Sequence, residues 1–171
     1  MWRGTCVDHA VGHFYGRGNK DNPLTKPEAI KEAEIEYQRL LHFCSKEYPE
    51  QIIDDVKFGR EQKLIGSFTE TALDFYSQLG EPDEYQKQIE LNIESIPVPI
   101  MGYIDLQYGD IIRDIKTTMR LPSSVSDAHA RQVSVYAKAT GSDFAILDYV
   151  VASAKKAEVV SMSVKDIDGH I

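Results

Sequence analysis

Residues Gly102–Arg120, with the sequence GYIDLQYGDIIRDIKTTMR, have the strongest strand pattern in the chain. They contain two runs rich in Ile and Tyr, separated by Gly109–Asp110, and this pattern predicts a β-hairpin. Strands that face a core rarely carry Asp, because an unpaired buried carboxylate is costly to desolvate. Asp105, Asp114 and Lys116 nevertheless lie where the strand pattern is strongest. We therefore expect these three side chains to have a chemical role or a charged partner.

The alternation of side chains along a strand groups these charged residues. Asp114 and Lys116 point to one side of their strand and Ile115 points to the other. A turn at Gly109–Asp110 brings Asp105, on the preceding strand, near Asp114. Two converging carboxylates form a hard oxygen site suited to Mg²⁺ or Mn²⁺, and a neighbouring lysine stabilises charge on a phosphate or orients water. The alternative is an ion pair on an edge strand, because D-x-K alone is common by chance.

Residues 1–81 are predicted to be mainly helical. The first helix covers Gly4–Tyr15, and Thr25 is the predicted N-cap of the second. Pro49 is the candidate start of a third, long helix, in which Gly59 and Gly66 are candidate break points because glycine weakens a helical pattern.

Residues 82–171 are predicted to form the sheet. About three strands are followed by one helix and about two further strands. Ser126 is the predicted N-cap of that helix, and Gly141 is its C-terminal stop. The order of elements predicts an α/β (α+β) domain with a mixed central β-sheet flanked by helices.

Length and composition fit one globular domain over residues 1–171. The net charge is −8, from 27 acidic and 19 basic residues, which disfavours a protein that coats nucleic acid nonspecifically. No apolar run is long enough to span a bilayer, so no membrane association is expected. The start of the chain lacks a signal peptide, and Cys6 and Cys44 are far apart. We therefore expect a cytoplasmic protein with reduced thiols.

The residues around the hairpin resemble a known family. G-x-I-D-L is followed by a strand ending in D-I-K-T-T, and then by a helix with Q-x-x-x-Y. Over roughly Gly4–Gly141 this combination resembles the PD-(D/E)xK nuclease superfamily, in particular its RecB-like, phage-type exonuclease branch. The resemblance implies a restriction-endonuclease-like core and metal-dependent hydrolysis. It assigns the metal to Asp105, Asp114 and the Ile115 carbonyl, with Lys116 as the catalytic lysine.

Two further motifs of the branch have counterparts here. Gln132 and Tyr136 match the Q-x-x-x-Y helix, share one helical face and would border the active site. RGTCVDHAVGHFYG is similar to the first motif of the branch, which supplies one more metal ligand from a G-T-x-x-H or G-T-x-x-E helix. Counting from Gly4, this ligand is Asp8, and the neighbouring His9 is the substitute. The family usually has a segment before this motif, so we expect a minimal or truncated version. Glu90 is a further acidic candidate.

The basic and hydroxyl side chains near these motifs are the candidate DNA contacts. They are Thr117, Thr118, Arg120, Arg131, Arg17 and Lys20.

Taken together, the residues and the resemblance predict a DNA exonuclease of phage or prophage type that uses Mg²⁺ or Mn²⁺. The resemblance also implies DNA as the partner, a homo-oligomer, and a single-strand annealing or recombination protein as a second partner. Two alternatives stay open. One is a structure-specific or restriction-like endonuclease of the same fold, and the other is a catalytically inactive DNA-binding or assembly protein.

Overall fold

The computed structural model describes residues 2–16, 21–47, 55–94, 96–152 and 157–171. Its α-helices are α1 (Arg3–Phe14), α2 (Lys26–Glu47), α3 (Asp55–Leu79) and α4 (Asp127–Thr140). Its strands are β1 (Glu84–Leu91), β2 (Ile100–Tyr108), β3 (Ile111–Thr118), β4 (Phe144–Ala152) and β5 (Ala157–Val164). A 3₁₀ turn at Asp168–His170 follows. Helices thus precede the sheet, and one α-helix interrupts it, in the order that the sequence predicts.

Local signals set several of the element boundaries. The Thr25 backbone N–H and hydroxyl both donate to Glu28 Oε2, at 2.8 and 2.6 Å, which ties down the start of α2. Ser126 Oγ accepts a hydrogen bond from the His129 backbone N–H at 3.3 Å, as expected for the N-cap of α4. Gly141 ends α4 with φ 68°, a left-handed conformation that glycine adopts without strain.

The sheet has five strands in the order β1-β2-β3-β4-β5. β3 and β4 are parallel, and the other three neighbouring pairs are antiparallel. α4 connects β3 to β4, because parallel neighbours need a crossover connection. The predicted hairpin turn is present, with Gly109 at φ 55°. The predicted α+β fold class, a mixed central sheet flanked by helices, is confirmed.

Each face of the sheet packs against different helices. Ile115 and Val150 lie on the face covered by α1 and α3, where they join a buried cluster with Val7, Phe68 and Tyr76. The opposite face carries a second cluster, formed with α4, whose members are Ile89, Ile104, Ile112, Val133, Ala137, Leu147 and Tyr149. A third cluster joins α1, α2 and α3 away from the sheet and contains Cys6, Ala10, Ala33, Tyr37 and Ile65. Apolar layers therefore support the central strands of the sheet on both faces.

The predicted break in the third helix is wrong. α3 is continuous through Gly59 and Gly66. A Cβ on Gly66 would lie 3.6 Å from Glu34 Oε1 and 3.7 Å from Ile30 Cγ2, so this glycine marks close packing against α2. The predicted opening of the helix at Pro49 lies outside the described residues.

The paired strands β1 and β2 do not keep the same side chains on one face of the sheet along their whole length. Tyr85 and Leu106, which pair with each other, contact the α1/α3 cluster, whereas Ile104 belongs to the α4 cluster. Residues two apart in a regular strand share a face, so the ribbon turns over between these positions. Gln86, with φ 48°, and Asp105 lie at the level of the change. A non-glycine residue with positive φ is uncommon and is found often at functional sites.

A buried polar group connects β3, β4, β5 and α3 below the α1/α3 face. Asp148 is fully buried and accepts hydrogen bonds from Tyr76 Oη and Arg113 Nη1, both at 2.9 Å, and from Ser161 Oγ at 2.5 Å. These donors satisfy a carboxylate that burial would otherwise penalise.

In the described part of the chain, no helix is both long enough and apolar enough to cross a membrane.

Candidate active site

An open cleft of about 370 Å³ lies where α1, β2, β3 and α4 meet. Eight of the residues predicted for the site line it: Asp8, Asp105, Asp114, Ile115, Lys116, Thr117, Gln132 and Tyr136. They come from four elements that are distant in sequence, so the fold, rather than one local motif, brings them together.

β3 contributes the central ion pair. Lys116 Nζ lies 2.6 Å from Asp114 Oδ2. The two residues are two positions apart in β3, so both side chains are on the α4 face of the sheet. Burial raises the pKa of Asp114, and the charge of Lys116 opposes this shift. Burial acts to lower the pKa of Lys116, but the Asp114 and Asp105 carboxylates outweigh it and the pKa is raised. The two carboxylates therefore favour the ammonium form of Lys116.

Asp105 lies where the backbone pairing of β2 with β3 ends. The last pair in this direction is Leu106 with Arg113, and beyond it the Ile115 backbone N–H donates to Asp105 Oδ2 at 2.7 Å. The carboxylate thus takes a hydrogen bond that a neighbouring strand would otherwise accept. Desolvation raises the pKa of Asp105 well above its ordinary value, and the charges of Asp8 and Asp114 add to the shift. The site therefore brings together acidic groups whose ionised forms the protein alone only partly stabilises.

α4 supplies a hydrogen-bonded chain to the lysine. Lys116 Nζ donates to Gln132 Oε1 at 2.9 Å, and Gln132 Nε2 donates to Tyr136 Oη at 2.9 Å. The Tyr136 ring lies against Gly102, where a Cβ would be only 2.7 Å from Tyr136 Cε1. The glycine of the G-x-I-D pattern thus makes room for the tyrosine of the Q-x-x-x-Y pattern.

α1 brings Asp8, and not His9, to the cleft. Adjacent helical residues point about 100° apart. His9 Nε2 lies 3.1 Å from Glu32 Oε1 of α2, and its ring contacts His13. His9 does not line the cleft, because this rotation directs it away from the other candidate ligands.

Gln86 of β1 belongs to this site and was not predicted. Its side-chain Nε2 donates to Asp8 Oδ1 and lies 3.5 Å from Asp105 Oδ1. The sequence signal was weak, because Gln86 is an ordinary polar residue in an alternating strand. Glu90 of the same strand is exposed and accepts a hydrogen bond from Asn92 Nδ2 at 3.3 Å. It does not line the cleft.

A second cleft of about 290 Å³ continues from the first, and both are lined by Lys116 and Thr117. The candidate DNA contacts Thr118 and Arg120 line it, together with His129, whose Nδ1 is 3.1 Å from Tyr149 Oη. Burial lowers the pKa of His129, and the charge of Lys116 lowers it further.

The remaining candidate DNA contacts lie elsewhere. Arg131 is exposed on α4 and lines neither cleft, whereas Arg17 and Lys20 fall outside the described residues.

The chemistry of the donor set fits a hard divalent cation. Asp114 Oδ2 is buried and accepts no aligned hydrogen bond from the described residues, although Lys116 Nζ is close to it. No group of three or more His, Cys, Asp or Glu side chains within those residues is arranged to hold a metal. Mg²⁺ usually needs only one or two carboxylates and keeps several waters. Asp105 and Asp114, with the Ile115 backbone beside them, provide that minimum.

No protein-family model matches the chain, and no curated protein matches it. Similar solved structures include the crystal structure of SSO0001, with a TM-score of 0.47 and 13% identity over 99% of this chain and 81% of that one. Another, named "Putative exonuclease", is from Eubacterium rectale and has a TM-score of 0.49 and 12% identity over 96% of this chain and 74% of that one. Since both TM-scores are below 0.5, neither similarity carries an argument about this chain.

Proposed function

We propose that this protein is a metal-dependent DNA exonuclease that hydrolyses phosphodiester bonds. The observation that carries the proposal is the meeting of Asp105, Asp114 and Lys116 in one open cleft. Burial raises the pKa of both carboxyl groups, and their mutual repulsion adds to the shift for Asp105. A divalent cation removes both penalties, because it favours the ionised form of each acid.

Each side chain has a defined part in the reaction. A bound Mg²⁺ or Mn²⁺ supplies charge neutralisation at the phosphate and a water of lowered pKa. Asp105 and Asp114, with the Ile115 carbonyl beside them, would hold the cation, and Asp8 would add a further carboxylate from α1. Lys116, beside the Asp114 carboxylate, would stabilise negative charge that develops on the phosphate and help to position the attacking water. Gln132 and Tyr136 hold the lysine ammonium in position.

The second cleft supports a path for the DNA strand. It extends from Lys116 and Thr117 towards Thr118 and Arg120, which supply a hydroxyl and a guanidinium for phosphate contacts. The protein has a net charge of −8, so its grip on DNA would depend on such local groups and on the bound cation. The resemblance to phage-type exonucleases adds a cytoplasmic location, a homo-oligomer and a recombination or single-strand annealing partner to the proposal.

The test is cleavage of linear and covalently closed circular DNA in Mg²⁺ or Mn²⁺, with EDTA as the metal-free control. We expect the wild type to digest linear DNA and leave closed circles intact. Asp114→Asn and Lys116→Ala should each lower the rate at least about 100-fold, the size of effect seen when a group that stabilises transition-state charge is removed. Asp110→Asn and Lys63→Ala are matched controls, because both residues are exposed away from the cleft.

Other outcomes would favour one of the alternative functions or a different site. Nicking of closed circles would favour the endonuclease alternative. No cleavage of any DNA by the folded wild type would favour a binding or assembly protein. Full activity of Asp114→Asn or Lys116→Ala would mean that the reaction occurs elsewhere. Circular dichroism of both variants checks that they are folded.

A further inference from the structure

Gln86 occupies an unusual backbone position in the middle of a strand. Its φ of 48° is in the left-handed region, which side-chain-bearing residues adopt at a conformational cost. Local propensity does not favour this conformation, so tertiary contacts must maintain it. The position coincides with the level at which the β1–β2 ribbon changes face, opposite Asp105.

The Gln86 side chain connects two acidic residues from different elements. Its Nε2 group donates to Asp8 Oδ1 of α1 and lies 3.5 Å from Asp105 Oδ1 of β2. A primary amide nitrogen carries two N–H donors, so one group can serve both carboxylates. Because one nitrogen reaches an oxygen of each acid, the two carboxylates are close enough to repel each other when both are ionised. Gln86 offsets this repulsion without adding a charge.

We infer that Gln86 is a positioning residue that holds the Asp8 carboxylate beside Asp105, so that both acids face the divalent cation of the proposed active site. This inference rests on the proposed function. The left-handed conformation of Gln86 has a role in this arrangement, because it directs the side-chain amide to the two acids. Partners that orient metal ligands in this way typically change metal affinity 10- to 100-fold when removed.

Three substitutions separate the side chain from the backbone. Gln86→Gly removes the amide and accepts the left-handed φ without strain. Gln86→Ala removes the amide and keeps a Cβ, and Gln86→Glu replaces the donor with a further negative charge. Gln88→Ala is the matched control, since Gln88 is an exposed glutamine two residues along the same strand.

The experiment is calorimetric titration of each protein with Mn²⁺ alone, without DNA. We expect Gln86→Gly and Gln86→Ala to bind Mn²⁺ at least about tenfold more weakly than the wild type, with Gln88→Ala unchanged. Asp8→Ala should weaken binding similarly. The double variant Asp8→Ala/Gln86→Gly should be no weaker than Asp8→Ala, because Gln86 acts through Asp8.

Two results would overturn the inference in distinguishable ways. Wild-type affinity in Gln86→Gly, or a full additive loss in the double variant, would reject the role of Gln86 and leave the proposed function standing. Absence of Mn²⁺ binding to the wild type would reject metal dependence itself, and the inference with it. Unfolding midpoints without metal confirm that each variant is folded at the titration temperature.

Discussion

Replacement of Gly102 by alanine tests the packing that connects the sheet to the site. The new Cβ would lie 2.7 Å from Tyr136 Cε1 and 3.5 Å from Ile89 Cδ1. The first distance is shorter than carbon atoms tolerate, so the Tyr136 ring has to move by roughly 0.7 Å to reach even a tight contact. Such a movement also displaces the Tyr136 hydroxyl from Gln132.

Two opposing terms set the size of the effect. Overpacking of a well-packed position costs about 1–3 kcal/mol. Glycine in a strand is itself unfavourable relative to alanine by about 0.5–1 kcal/mol, which the substitution recovers. We therefore expect Gly102→Ala to lower the free energy of unfolding by about 1–2 kcal/mol. For a chain of this length, each kcal/mol lowers the melting temperature by about 2–4 °C.

The assay is urea unfolding followed by circular dichroism, in a double-mutant cycle with Tyr136→Ala. Once the ring is gone, Gly102→Ala should be neutral or slightly stabilising, because nothing remains at 2.7 Å. Gly59→Ala is the control, since its Cβ would meet no atom within 4 Å and a helix prefers alanine by about 1 kcal/mol. An equal cost of Gly102→Ala with and without the Tyr136 ring would show that contact with this ring does not cause the loss of stability.

Two further predictions concern buried charges. The pKa of Asp105 is raised in the folded protein, so between the ordinary and the raised pKa the folded state binds more protons than the unfolded state. Without metal, the free energy of unfolding therefore falls as the pH rises through this range. Asp105→Asn should flatten this fall and raise the urea midpoint at pH 8 in EDTA; a lower midpoint there would contradict the sign. Asp148→Ala should cost about 3–5 kcal/mol, because it leaves Arg113 partly buried without its partner. In the same urea experiment the exposed control Asp143→Ala should change stability by at most about 0.5 kcal/mol, and a comparable loss in both would show that the buried pair has no special weight.

The parts of the fold that depend on residues close together in the sequence were predictable. Strand alternation places Asp114 and Lys116 on one face, and the structure has them 2.6 Å apart. Gly109, Ser126 and Gly141 act as turn and cap residues as predicted, because their conformations depend on a few adjacent atoms. The third helix shows the limit of such reasoning. Gly66 lowers helix propensity, yet packing against α2 outweighs that cost.

The candidate site was predictable only where its residues belong to regular elements. Asp8 and His9 are adjacent, and a small error in helix phase decides which of them reaches the cleft. In the structure Asp8 lines the cleft, whereas His9 points about 100° away and pairs with Glu32 of α2. Residues 8 and 9 alone do not predict this pairing, because the partner, Glu32, comes from α2.

The departure from regular strand geometry has the clearest physical meaning. Simple alternation treats β1 and β2 as uniform ribbons, whereas the pair turns over at Gln86 and Asp105. At this level the pairing of β2 with β3 has ended, and the Ile115 N–H donates to the Asp105 carboxylate instead of a backbone carbonyl. A continuous strand would have consumed that donor. The interruption that costs the sheet its regular pairing is therefore what leaves room for acidic side chains between two strands.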